Sequence, residues 1–220
     1  MKDIKGLFSK ILPVYDLMNL IMSFGLHNHL RRLSVKVAGF RRDGLILDVG
    51  CGTGDFCIQT QRVLKKVRIF GFDFLEDMLK EAKRKKKDLR CILGDCHFLP
   101  FKDEIFDGIT LGFVIRHVDI QGFLKEASRV LKKGGCLIIL DLGFPHPIIK
   151  PIFNLYLFRI IPGIGRIFGK KKEYSYLGES LKLYMPSIDS LKDALYKQRF
   201  SSVKIKKFVL DSIVCLLATK

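Results

Sequence analysis

Hydrophobic positions change their period several times along the chain, and each change marks an element. Residues 4 to 38 carry helical spacing in two or three pieces. The turn signal Arg41-Arg42-Asp43-Gly44 leads into the apolar run LILDVG, which predicts a strand, followed by a glycine loop and a helix from Asp55 to Leu64. VRIFGFD (67–73) predicts the second strand and LEDMLKEAKRKKK the second helix. CILGD (91–95), FDGITLGFV (106–114) and GCLIILDLG (135–143) predict three more strands. Between the last two, IQGFLKEASRVLKKGG predicts an amphipathic helix with basic residues and glycine at its C-terminal end. In the tail SSVKIKKFVLDSIVCLLATK two strand-like runs meet at Leu210-Asp211-Ser212, so an antiparallel hairpin at a sheet edge is expected. Strands alternating with helices predict a doubly wound, mostly parallel sheet. No internal repeat or low-complexity linker divides the chain, which is expected to form one domain with a helical N-terminal appendage.

Composition narrows the class. With 220 residues, 48% of them hydrophobic, the chain can build a sizeable α/β core and is not a disordered protein. The six cysteines (51, 57, 91, 96, 136 and 215) form no CxxC pair and mostly lie within or beside apolar runs, as reduced, buried thiols do. The N-terminus has a basic start, but Pro13, Asp16 and Asn19 interrupt its apolar stretch and no small-residue cleavage site follows; a cytoplasmic location is expected. The formal net charge of +17 favours contact with polyanions, nucleic acid or acidic lipid, without choosing between them. KRKKK (83–87) closes a helical pattern, where cations complement the helix dipole and solvate the face.

The chemistry concentrates at DVGCGTGDF (48–56). In an open α/β sheet, ligands bind beyond the carboxyl ends of the strands, and this is the first strand-to-helix loop. The dinucleotide pattern GxGxxG is not met: glycines stand at 50, 52 and 54, and position 55 is Asp. A carboxylate at the helix start repels a pyrophosphate and suits a ligand carrying a cation. Asp73, at the end of the second strand, is placed for ribose hydroxyls, and Asp95, at the end of the third, for an adenine amino group. A nucleoside with an amino-acid or sulfonium tail fits this acidic set better than NAD does.

The run Asp48-Val49-Gly50-Cys51-Gly52-Thr53-Gly54-Asp55, with Asp73, Gly94-Asp95 and LKKGGCLIILD, resembles the S-adenosylmethionine-dependent class I methyltransferases across residues 44 to 143. YDLMN (15–19), SFGLH (23–27), Leu99-Pro100-Phe101, GFVIRHV (112–118) and YLGES (176–180) look like the menaquinone and ubiquinone biosynthesis C-methyltransferases, nearly end to end. The resemblance implies a Rossmann-like, mostly parallel seven-stranded sheet with a C-terminal antiparallel hairpin. It also implies a division into an N-terminal helical lid (1–43), a cofactor-binding core (44–143), an insertion facing substrate or membrane (144–185) and a final helix and strands (186–220). The implied reaction is C-methylation of a polyprenylated quinol, with a naphthoquinol or benzoquinol ring left open. The implied cofactor contacts are Asp48, Gly50, Gly52, Thr53, Gly54, Asp73, Phe74, Asp95, Cys96 and Gly112. Gly112 departs from the Ser that many members have there, and His117 stands where the family usually has Asn.

In such a transfer the enzyme aligns the methyl group with an attacking carbon and excludes water. Arg116 would stabilise a phenolate and orient a proton-accepting water, and Tyr15 would close the network from the lid. His117 is an alternative base, or a group that hydrogen-bonds like the Asn it replaces. Histidines 27, 29, 97 and 146 show no metal-ligand spacing, and no metal is expected.

Residues 142 to 172 contain no acidic residue, but six basic ones interleaved with Ile, Leu and Phe, and no run reaches the ~18 apolar residues of a membrane-spanning helix. Two readings stand: an amphipathic segment lying on an anionic bilayer, giving peripheral membrane association, and a substrate lid or dimer surface. A homodimer is left open and no nucleic-acid partner is expected. The alternatives are a methyltransferase acting on RNA or another small molecule, and a non-enzymatic nucleic-acid-binding protein on the same scaffold.

Overall fold

A computed structural model of the protein describes residues 4–220, so the first three residues of the expected lid lie outside the described residues. Three helices open the chain: α1 (Ile4–Ile11), α2 (Tyr15–Met22) and α3 (Leu26–Ala38), with a 3-10 turn at Leu12–Val14 where Pro13 cannot donate to a helical ladder. There follow β1 (Leu45–Val49), α4 (Asp55–Val63), β2 (Arg68–Asp73), α5 (Glu76–Lys85), β3 (Arg90–Leu93), β4 (Phe106–Gly112), α6 (Ile120–Val130) and β5 (Leu131–Leu142). A second helical group, α7 (Lys150–Leu155), a π-helical turn (Tyr156–Ile160), α8 (Ile161–Ile167) and α9 (Lys171–Tyr184), precedes α10 (Ile188–Lys197), β6 (Ser202–Phe208) and β7 (Ile213–Thr219).

The described residues form one seven-stranded sheet in the order β3-β2-β1-β4-β5-β7-β6. The first five strands are parallel, and β7 runs antiparallel between β5 and β6. The expected hairpin is therefore present, its turn bent through Val209, Leu210 and Asp211, all at positive φ. β1 lies between two parallel neighbours and is covered on both faces, so it reads as continuous apolar sequence rather than an alternation. One face packs Phe106, Ile109, Phe123, Leu124 and Leu195 beneath α6 and α10; the other packs Ile46, Phe56, Ile69 and Leu79 beneath α3, α4 and α5. A third cluster joins α1 and α2 to α8 and α9 through Ile11, Met18, Leu157, Ile161 and Tyr174.

One expected boundary moves. The helix that LKKGG was expected to close ends at Val130, and Leu131 already pairs with Phe106 as the first residue of β5. Leu131 is fully buried, and Gly134, at φ 75°, lets the strand bulge while its N–H donates to the Lys220 carbonyl 2.8 Å away. Tertiary pairing overrides the local helix-end signal here.

Candidate active site

The strand order reverses between β1 and β4, and a cavity of about 230 Å³ opens at the carboxyl ends of the strands there. All ten positions expected to touch a cofactor line it except Gly54, which sits at the start of α4. Gly50 stands at φ 63°, and a Cβ there would come within 2.7 Å of Val114. A side chain there would meet a strained left-handed backbone and that close approach together, and glycine avoids both.

Two carboxylates organise the loop from below. Asp73 accepts from the Gly52 N–H at 2.8 Å and the Leu75 N–H at 2.9 Å, which fixes the loop to the end of β2. Asp48 lies under the loop and accepts from Thr110 Oγ1 (2.7 Å) and Cys57 Sγ (3.2 Å), while burial pushes its carboxyl up to about 6. Phe74, partly exposed, Asp95 and Cys96 border the far end of the cavity below β3. Asp95 accepts from the His97 backbone N–H and faces the His97 ring. At Gly112 a Cβ would lie 2.8 Å from the Phe56 ring, so in this chain a phenylalanine occupies the space into which a serine would project.

Other features had no sequence signal. Lys85, within the run expected to be a solvated helix end, turns back to the loop and contacts Asp55 (2.6 Å), Asp16 (2.9 Å) and Thr53 Oγ1 (2.9 Å). The cation facing Asp55 is thus supplied by the chain itself. Thr53 in turn donates to Asp16 (2.7 Å), so α2 is tied to the glycine loop. Arg31 of α3 is buried against Phe113 and Phe56, with Nε and Nη1 unpartnered.

A second cavity of about 190 Å³ adjoins the first, and Phe8, Tyr15, Arg31, Phe113 and His117 line both. Its wall is mostly apolar: Leu7, Ile11, Met22, Phe153, Leu157, Ile161 and Leu177 from α1, α2 and α7–α9. Tyr156, on the π-helical turn, donates to the Met22 carbonyl at 2.6 Å and binds the two helical groups together.

The three residues expected to be catalytic sit in different surroundings. Arg116 is buried and committed: its Nη1 pairs with Asp141 and its Nε donates to Ser180 Oγ at 3.2 Å. With its charge met by Asp141, it anchors the turn Ile115–His117 and also lines the second cavity. His117 packs edge-on to Phe8 and stacks on Tyr176, with Nδ1 buried and unpartnered. Burial, helped by the adjacent Arg116 charge, lowers the imidazole to about 3, so it is neutral at physiological pH and too weak a base to gain from titration near neutrality. His117→Asn is accordingly expected to leave the pH dependence of methyl transfer between pH 6 and 9 unchanged; a flattened profile would restore the base role. Tyr15 stays at the junction of the cavities, its phenol pushed up by burial and hence protonated at neutral pH.

A mostly parallel sheet with a carboxylate-floored glycine loop, an acid at the end of β2 and an adjoining apolar chamber has the architecture of a class I methyltransferase. The solved structures agree in fold. A Thermotoga maritima SAM-dependent methyltransferase aligns with a TM-score of 0.70 at 23% identity, over 98% of this chain and 99% of that one. A geranyl diphosphate methyltransferase in complex with SAM aligns at 0.62 and 13% identity, over 87% and 84%. The model of the ubiE/COQ5 methyltransferase family matches residues 1–220, and the chain belongs to that family. It is 36% identical to the demethylmenaquinone methyltransferase of Staphylococcus saprophyticus over 94% of this chain and 91% of that protein. It is 37% identical to the demethylmenaquinone methyltransferase of Listeria welshimeri over 92% and 89%. It is 33% identical to the ubiquinone/menaquinone biosynthesis C-methyltransferase UbiE of Shewanella baltica over 97% and 88%. The protein is therefore a methyltransferase.

Proposed function

We propose that the protein C-methylates a polyprenylated quinol in respiratory quinone biosynthesis. The observation that carries this reading is the pair of joined cavities, one bordered by the carboxylates Asp48, Asp55, Asp73 and Asp95 at the strand ends, the other walled mostly by apolar side chains that suit a prenylated ring. S-adenosylmethionine, when bound, supplies an electrophilic methyl group on a sulfonium. Asp73 would accept from its ribose hydroxyls, Asp95 and Cys96 would border its adenine, and Gly50 would let the backbone approach its tail. Phe8, Phe113 and His117 wall the junction and keep water from the reacting atoms. Tyr15, protonated, donates a hydrogen bond to a quinol oxygen there, and neutral His117 accepts or donates without carrying charge. Incubation with the quinol and the cofactor, followed by identification of the product, tests the reading.

The second helical group supports a membrane-facing side to the same function. The segment 142–172 sorts into two faces: Phe153, Leu157 and Ile161 turn into the apolar chamber, while Ile148, Ile152, Leu155, Ile160 and Ile167 are exposed among Lys150, Arg159 and Arg166. Among the described residues no single helix is long and apolar enough to cross a membrane. An exposed apolar face with basic flanks suits the surface of an anionic bilayer, from which a prenyl tail would enter the chamber. Ile148→Glu with Ile152→Glu is expected to reduce sedimentation with anionic vesicles at low salt by at least about tenfold, given the loss of buried apolar area and the added negative charge. Unchanged sedimentation would remove this face from the account.

A further inference from the structure

We propose that Arg31 is the carboxylate clamp of the cofactor pocket, holding the carboxylate of the amino-acid tail of S-adenosylmethionine. Arg31 is 7% exposed, and its Nε and Nη1 have no hydrogen-bond partner; no ion pair includes it among the described residues. A buried, unpaired guanidinium is costly, and it is retained where an anion arrives to meet it. The fork lies over the Phe113 ring, 5.2 Å from its centroid, and near Phe56, 5.9 Å away, which leaves its edge facing the junction of the two cavities.

The direction of the cofactor selects the anion. The inference rests on S-adenosylmethionine lying along the β3-β2-β1-β4 edge, with its adenine by Asp95 and its ribose by Asp73. Its amino-acid tail then runs past Gly50 toward Phe113, the side on which Arg31 sits. That tail is a zwitterion. Asp55 is already paired with Lys85, which leaves Asp48, lining the cavity under the glycine loop, on the side of the ammonium; Arg31 is the unpaired cation among the lining residues placed to meet the carboxylate. A guanidinium binds a carboxylate through parallel N–H donors, so the contact fixes orientation as well as affinity. Arg31 is thus a positioning residue: by anchoring the tail it sets the direction in which the methyl group points.

Calorimetric titration of the purified protein with three ligands tests this: S-adenosylmethionine, its decarboxylated analogue, which keeps the sulfonium and the amine, and methylthioadenosine, which lacks the whole tail. The unmodified protein is expected to prefer the complete cofactor over the decarboxylated analogue by about ten- to a hundredfold. Arg31→Met is expected to abolish that preference while leaving methylthioadenosine affinity unchanged, which also shows that the variant is folded. Arg31→Gln is the second variant if Met is not tolerated, with the same expectation. A variant that keeps the full preference overturns the proposal, and if it also loses quinol turnover, Arg31 serves the acceptor's oxygen instead. Asp73→Asn separates the two layers: it should weaken all three ligands together. If it weakens none, the placement of the cofactor is wrong and the clamp falls with it.

Discussion

Asp141→Ala is expected to destabilise the protein by about 3–5 kcal/mol, the usual cost of breaking a buried ion pair from one side. Asp141, near the end of β5, is 2% exposed and accepts from Arg116 Nη1 and from the Ile115 (3.2 Å) and Leu142 (2.8 Å) N–H groups. Removing it strands a guanidinium in the core and two backbone donors with it. Urea denaturation should therefore show a lower midpoint with little change in slope. Replacing both partners, Arg116→Met with Asp141→Leu, should regain most of the loss, because the desolvation cost goes with the charges. Methyl transfer should stay low in the double variant, since the turn carrying His117 loses its link to β5 and to Ser180 of α9. A single variant with the parental midpoint would show that the pair does not hold this turn.

Gly50→Ala is expected to cut affinity for S-adenosylmethionine by at least tenfold. The left-handed backbone at φ 63° costs about 1–2 kcal/mol for a residue with a Cβ. The new methyl would also sit 2.7 Å from Val114 Cγ2, and such overlap adds about 1–3 kcal/mol unless the neighbour moves. Val114 precedes the turn of Arg116 and His117, so the strain reaches the junction of both cavities. Val114→Ala in the same chain should relieve the overlap and leave the backbone strain, giving partial recovery in calorimetry. Full parental affinity in Gly50→Ala alone would mean that the loop does not need glycine there.

The glycine loop, Asp73 and the succession of strands and helices were legible because each rests on local sequence: turn glycines, an acid at a strand end, and apolar runs separated by helical periods. The hairpin was legible for the same reason. What was not legible depends on residues far apart in the chain. Lys85 meets Asp16 and Asp55, which lie 69 and 30 positions away, and within KRKKK it has no pattern that sets it apart from its neighbours. Arg116 carries a motif signal, but its charge is met by Asp141, and the pairing changes its reading from a free cation to an anchor. His117 suggests a base by residue type; burial between Phe8 and Tyr176 makes it a neutral wall. Leu131 was assigned to a helix by its neighbours and belongs to β5 because the sheet buries it.

The acceptor is decided by incubating the purified protein with methyl-labelled S-adenosylmethionine and demethylmenaquinol, in parallel with the benzoquinol equivalent and with RNA, and identifying the product by mass. The expected result is a prenylated product heavier by one CH2 unit that still oxidises to a quinone with the label retained, because a methyl on a ring carbon survives that oxidation. Label found only in an ether of the quinol, or in RNA with both quinols untouched, would contradict it.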